Sequence, residues 1–135
     1  FITGWQMEVG QNATEFEHEP FERTLQKCQR YYHRLVSNTT YDVVCHGHFG
    51  SDTTFFGTVD FPVTMRAEPT LTESGDWRIY TNSSVPVTSG PSVNRATTHA
   101  MNLQANTGDN NDVGQGAMLS NDNDASAYLE FKAEL

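Results

Sequence analysis

Glu19–Val36 reads EPFERTLQKCQRYYHRLV, and it is the segment of this chain with clear helical periodicity. Phe21, Leu25, Cys28, Tyr32 and Leu35 are spaced four, three, four and three apart, the seam pattern of a coiled coil. Pro20 suits a first helical turn, where a missing N–H costs nothing. Glu22 lies toward the positive end of the helix dipole, and Arg30, His33 and Arg34 toward the negative end. Ser37 and Asn38 then end the pattern, which predicts a helix over residues 20–36. Two heptads are marginal as a free helix in water, so this one needs a partner surface. Either the helix lies on its own domain, or it joins subunits in a short bundle of identical helices.

On either side of that segment the period is two. Phe1, Thr3, Trp5, Met7 and Val9 share one face of an expected strand, which has no partner nearby in sequence and reads as the last strand of a preceding β-domain. Residues 10–18 form a polar connector. Beyond the helix, Tyr41, Val43, Cys45, Gly47 and Phe49 alternate with Asp42, Val44, His46 and His48. Phe55, Gly57, Val59 and Phe61 make the next inward row, and Val63, Met65 and Ala67 follow Pro62, which belongs at a strand start or a sheet edge. Glu73–Asp76 is a hairpin-like turn into Trp77-Arg78-Ile79-Tyr80. Residues 81–91 read as a loop, 95–103 as a strand, and 106–112 as the most polar loop. Residues 114–120 resume a weak apolar character before a turn at 121–124. The last strand is the cleanest: Ala127, Leu129, Phe131, Ala133 and Leu135 alternate with polar neighbours and Tyr128. Short strands with turns every 8–12 residues predict a mainly β fold, an antiparallel sandwich or jelly roll preceded by one short helix.

Composition narrows the function. The net charge of −9 argues against a general nucleic-acid binder, because phosphate contacts need clustered Lys and Arg. No run of 18 or more apolar residues exists, so membrane insertion is not expected. Apolar residues make up 36% of the chain, a low share that suits a core completed by copies of itself. Cys28, on the seam, and Cys45, in a strand, both read as small buried hydrophobes. Sequons at Asn12, Asn38 and Asn82 are about as many as chance provides in a chain this rich in Asn, Ser and Thr.

Two stretches carry a resemblance. Gln6, Glu8 and Gly10, then Ala13, Thr14, Phe16, Glu17 and Pro20, then Cys28-Gln29-Arg30-Tyr31-Tyr32 are similar to a junction in bacteriophage virion proteins, where a carbohydrate-binding-module-like β-domain runs into a helix. Phe61–Thr70 (FPVTMRAEPT) and Ala125–Leu135 (ASAYLEFKAEL) are similar to segments of the same tail-fibre and structural proteins. The resemblance covers most of the chain in order. It implies three regions: 1–19, the last strand and linker of a preceding β-domain; 20–36, a trimerising helix; and 37–135, a C-terminal β-sandwich. It further implies a virion protein, a homotrimeric end of a fibre or spike that contacts other virion proteins and attaches to a host-surface glycan or receptor. A purely structural head fibre, decoration protein or trimerisation cap is an alternative, as is the non-catalytic end of a glycan-degrading tailspike.

Several residues carry specific expectations. Phe21, Leu25, Cys28, Tyr32 and Leu35 form the trimer seam. His46 and His48 share one face of a strand, so three chains present six imidazoles, a set able to hold one metal ion on a threefold axis; a solvated pair of histidines is the plainer reading, and no cofactor is expected. The acidic loops at 109–112 and 121–124 lack the EF-hand pattern and read as ordinary turns. No G-x-S-x-G or H-E-x-x-H occurs, and no enzymatic activity is expected. Sugar binding needs an exposed aromatic ring among amide, guanidinium and carboxylate groups. Tyr80, Arg78 and Asn82, with Asp109 and Asn111 of the second loop, are the candidates, while Trp77 on the opposite face belongs to the core.

Overall fold

A computed structural model describes residues 7, 9–12, 15, 18–108 and 111–134. The strand expected over residues 1–9 lies, apart from Met7 and Val9, outside the described residues, as do Asp109 and Leu135. The described chain is mainly β. One helix, α1 (Phe21–Gln29), precedes nine strands: β1 (Tyr32–Val36), β2 (Val43–Phe49), β3 (Thr54–Asp60), β4 (Thr70–Ser74), β5 (Trp77–Tyr80), β6 (Ser84–Ala96), β7 (Ala100–Thr107), β8 (Gly116–Asn121) and β9 (Tyr128–Lys132). Six of them close into an antiparallel barrel in the order β2-β3-β7-β6-β5-β8, and the other three form a separate sheet, β1-β9-β4.

The helix expected over residues 20–36 is about half that length, nine residues. Pro20 caps it from outside the first turn, with its carbonyl accepting from the Arg23 and Thr24 amides. The helix ends at Gln29, and Tyr32–Val36 runs as a strand paired with β9 from Tyr32↔Lys132 to Val36↔Tyr128. The sequence YHRLV satisfies both periods: Leu35 lies on a helical seam, but His33 and Leu35 also share one strand face. Pairing with β9 gives five residues backbone partners that a lone second heptad lacks, so tertiary contact wins over local pattern. His33 and Arg34 therefore lie on β1 and do not serve the helix dipole, while Arg30 stands at the C-cap of α1 as expected; Leu35 packs against the chain's own core, and the β-body starts at residue 32 rather than 37.

Inside the barrel, Phe49, Phe55, Ile79, Met101, Leu103 and Leu119 are completely buried, and they join Leu129 and Phe131 of the three-stranded sheet in one continuous cluster. Trp77 is buried as expected, with its indole N–H donating to Glu73 at 3.1 Å. Met65 is buried without being in a strand; its amide donates to the Thr98 carbonyl instead. The Ser/Pro/Gly-rich stretch read as a loop is mostly the 13-residue β6, whose pairing with β7 slips at three places. His99 sits in the turn between β6 and β7. Cys45 is buried as expected and its thiol is pushed up to about 12 by desolvation, whereas Cys28 is exposed, contrary to expectation.

His33 stands between the two parts of the core. Its ring stacks on Phe131 at 6.1 Å and meets the edge of Phe61 at 6.4 Å, and burial lowers its pKa. The folded chain thus holds fewer protons here than the unfolded chain, so its stability is highest above the ordinary imidazole value of about 6.5 and falls as pH drops through the lowered folded value. Asp42, Asp124 and Glu130 are also lowered, by hydrogen bonds and by Lys132, and lose their contribution only at more acidic pH. Melting temperature measured from pH 7.5 to 5 should fall in wild type and stay nearly flat in His33→Phe; equal slopes would remove His33 from this role.

Candidate ligand-binding surface

The site begins with a departure from regular pairing. Strict alternation puts Tyr41 and Val43 on the inward face with Cys45, but a bulge between Val43 and Cys45 turns both outward, to 49% and 47% exposure. The chain just before β2 is fixed by Asp42, whose carboxylate accepts from the Asn38 and Thr39 amides at 2.8 and 3.1 Å and from the Thr39 hydroxyl at 2.8 Å. Beneath the loop, fully buried Asn121 donates through its side chain to the Thr39 and Asp124 carbonyls. Tyr41 is held at φ 66°, a left-handed conformation that costs a bulky residue about 1–2 kcal/mol. Bulges and strained backbone gather where a side chain must be aimed.

Tyr41 is aimed at Arg78. The Arg78 guanidinium lies 4.8 Å from the Tyr41 ring centre and 5.6 Å from that of Tyr80. It also approaches Asp122 at 3.9 Å, and its Nε is buried with no hydrogen-bond partner. Along the barrel wall, Arg78, Ser120 and Val43 stand in one cross-strand row, and Tyr80, Met118 and His46 in the next. On the other side of Val43, a cleft of about 150 Å³ is lined by Leu35, Val36, Ser37, Asp42, Val44 and Trp77. The result is two half-exposed phenol rings around a positioned cation, with a carboxylate in reach. Such a surface packs the C–H face of a sugar ring on the aromatics and meets its hydroxyls with donors and acceptors.

Of the residues predicted for sugar binding, the fold brings Arg78 and Tyr80 together. Asn82 is exposed at the tip of the β5–β6 hairpin, two residues beyond Tyr80. Asn111 is committed elsewhere: its side chain donates to the Asp52 carbonyl and the Thr107 hydroxyl, both at 3.1 Å. Strand directions set the β2–β3, β5–β6 and β7–β8 connections at the same barrel end, so Asn82 and Asn111 share an end without joining the Arg78 cluster. Tyr41 and Asp122 were missed, since nothing in YDVVCHGHF announces a bulge. His46 and His48 are exposed on the outer wall, and among the described residues no three ligating side chains converge on one point.

The helix contributes a second surface. Arg23, Gln26, Lys27 and Arg30, on one face of α1, line a cleft of about 330 Å³ against Val63 and Thr64 of the β-body. At 3.6 residues per turn, Phe21, Leu25 and Cys28 fall on the opposite face. Phe21 is 73% exposed and Leu25 42%, and α1 buries none of its residues. The side chains of Arg23 and Lys27 are themselves 68% and 60% exposed, so both the polar and the apolar face of α1 stand largely in solvent. Tyr32, the fourth residue of the expected seam, is on β1 and donates to Glu130 at 2.9 Å. No described helix is long and apolar enough to cross a membrane. Comparison with known proteins finds no matching family model, no similar curated protein and no similar solved structure.

Proposed function

We propose that this chain is the C-terminal part of a homotrimeric fibre or spike on a phage virion, a non-enzymatic attachment protein that binds a host-surface glycan through its barrel wall. The observation that carries this reading is the outward apolar edge of α1. A helix that covered its own core would present Phe21, Leu25 and Cys28 inward; this one leaves them exposed among the described residues, an apolar edge that sister helices would cover. Three such edges make a short bundle, and the threefold number comes from the resemblance of the CQRYY helix and the AEL terminus to phage fibre proteins. The three-stranded sheet lying over the barrel is read as a variant of the sandwich such fibres carry. Three copies of the Tyr41–Arg78–Tyr80 surface would add avidity to a weak single site.

The test has two parts. Sedimentation of the chain should give the mass of three copies. A glycan array probed with that trimer should give a ligand whose binding falls about tenfold or more, at least 1.4 kcal/mol, in Tyr41→Ala and in Tyr80→Ala. A heat-resistant trimer that binds no glycan favours the purely structural role. A ligand bound equally well by both variants moves the site off the barrel wall.

A further inference from the structure

The cleft under α1 gathers positive charge in a chain that has little of it. The eight Lys and Arg residues face seventeen Asp and Glu. Yet Arg23, Lys27 and Arg30 line this one cleft, and the Arg66 amide ties the backbone of residues 63–66 to the helix end by donating to the Arg30 carbonyl at 2.8 Å. Compensation is thin. Glu19 is shared, reaching Arg23 at 3.2 Å and also Lys27, and Arg30 has no ion pair among the described residues. Arg66 lies over the Tyr31 ring at 5.5 Å.

Three cations around one cleft repel, and among the described residues Glu19 pairs with only two of them. Arg and Lys side chains are the natural donors to carboxylate, sulfate and phosphate oxygens. The Gln26 amide and the Thr64 hydroxyl sit among them, groups suited to hydroxyls. The remainder of the molecule is strongly negative and repels a long polyanion such as nucleic acid or an anionic membrane, so the fitting ligand is short and sets a carboxylate among hydroxyls.

We propose that the cleft between α1 and Val63–Thr64 binds an acidic sugar, its carboxylate taken by Arg30, Lys27 and Arg23 and its hydroxyls by Gln26 and Thr64. The choice of a saccharide rests on the glycan-binding reading above; the anion site does not. A bundle formed through Phe21, Leu25 and Cys28 leaves this cleft on the outside of each helix, open to the same host polymer as the barrel wall.

The experiment is calorimetric titration of the full chain with a galacturonate trimer, a neutral galactose trimer, inorganic phosphate and a short single-stranded DNA. The galacturonate trimer should bind, weaken as salt is raised, and lose about tenfold or more in Arg30→Gln and in Lys27→Gln, because each removes a charge-assisted hydrogen bond. Equal binding of the neutral trimer, or no loss in either cleft variant, overturns the proposal. So does binding of phosphate or DNA as tight as that of the galacturonate, which marks a plain anion site. Galacturonate binding that depends on Arg30, together with array binding untouched by Tyr41→Ala and Tyr80→Ala, upholds the cleft and removes the barrel-wall reading.

Discussion

Gly47→Ala should destabilise the chain by about 3 kcal/mol or more, at the upper end of what overpacking a core costs. Gly47 pairs with Gly57 across β2 and β3, and a Cβ on it would lie 1.9 Å from the Phe56 carbonyl oxygen and 2.7 Å from the Gly57 Cα. Those are backbone atoms, so no side chain can swing aside, and relief requires the two strands to part within a closed barrel. Opening that pair would disturb Cys45 and Phe55, which already crowd Gly57 from the inside. Gly116→Ala is the control, because its Cβ would meet nothing within 4 Å; it should stay within about 0.5 kcal/mol of wild type. Urea denaturation of both variants decides the matter. A Gly47→Ala protein as stable as Gly116→Ala would mean that β2 and β3 do not approach as closely as described.

The second large effect concerns assembly. Phe21→Glu combined with Leu25→Glu should convert the proposed trimer to single chains at micromolar concentration while leaving the β-sheet circular-dichroism signal intact. Covering a side chain such as Phe or Leu is worth about 1.5–3 kcal/mol, so two such positions in three copies account for most of what a small bundle could gain. Neither residue is buried within its own chain, and for that reason the folded state should lose little. Sedimentation velocity checks the result. A wild-type protein that sediments as one chain, or a doubly substituted one that still sediments as three, would place the contact elsewhere.

The sequence was most legible where one face is wholly apolar. Ala127, Leu129, Phe131 and Ala133 alternate without a break, and all four are buried in the fold. Phe55 and Val59 on β3, and Trp77 against Tyr80 on β5, followed the same rule. Legibility failed where two patterns coincide or where pairing is irregular. Tyr32–Val36 matches a helical seam and a strand equally well, and only the distant β9 decides between them. β6 carries Pro86, Gly90 and Pro91; Gly90 and Pro91 are accommodated because the register with β7 shifts between Ser89 and Ser92, and Pro86 lies before that pairing begins. The candidate site shows the same division. Arg78 and Tyr80 could be named from an aromatic next to a cation on an exposed strand face, while Tyr41 and Asp122 reach them only through a bulge and a turn with no local signature.

Closing six strands into a ring leaves the described sheets with just two open borders, the outer sides of β1 and β4. Every other ladder already has a neighbour on both sides, so uncontrolled strand-on-strand stacking has only those borders to work with. One follows directly from the helix that is proposed to gather the copies, and the other runs into Glu73, Ser74 and the tight Gly75 turn. Chains crowded side by side, as on the proposed fibre, would therefore meet strand to strand only at those two borders.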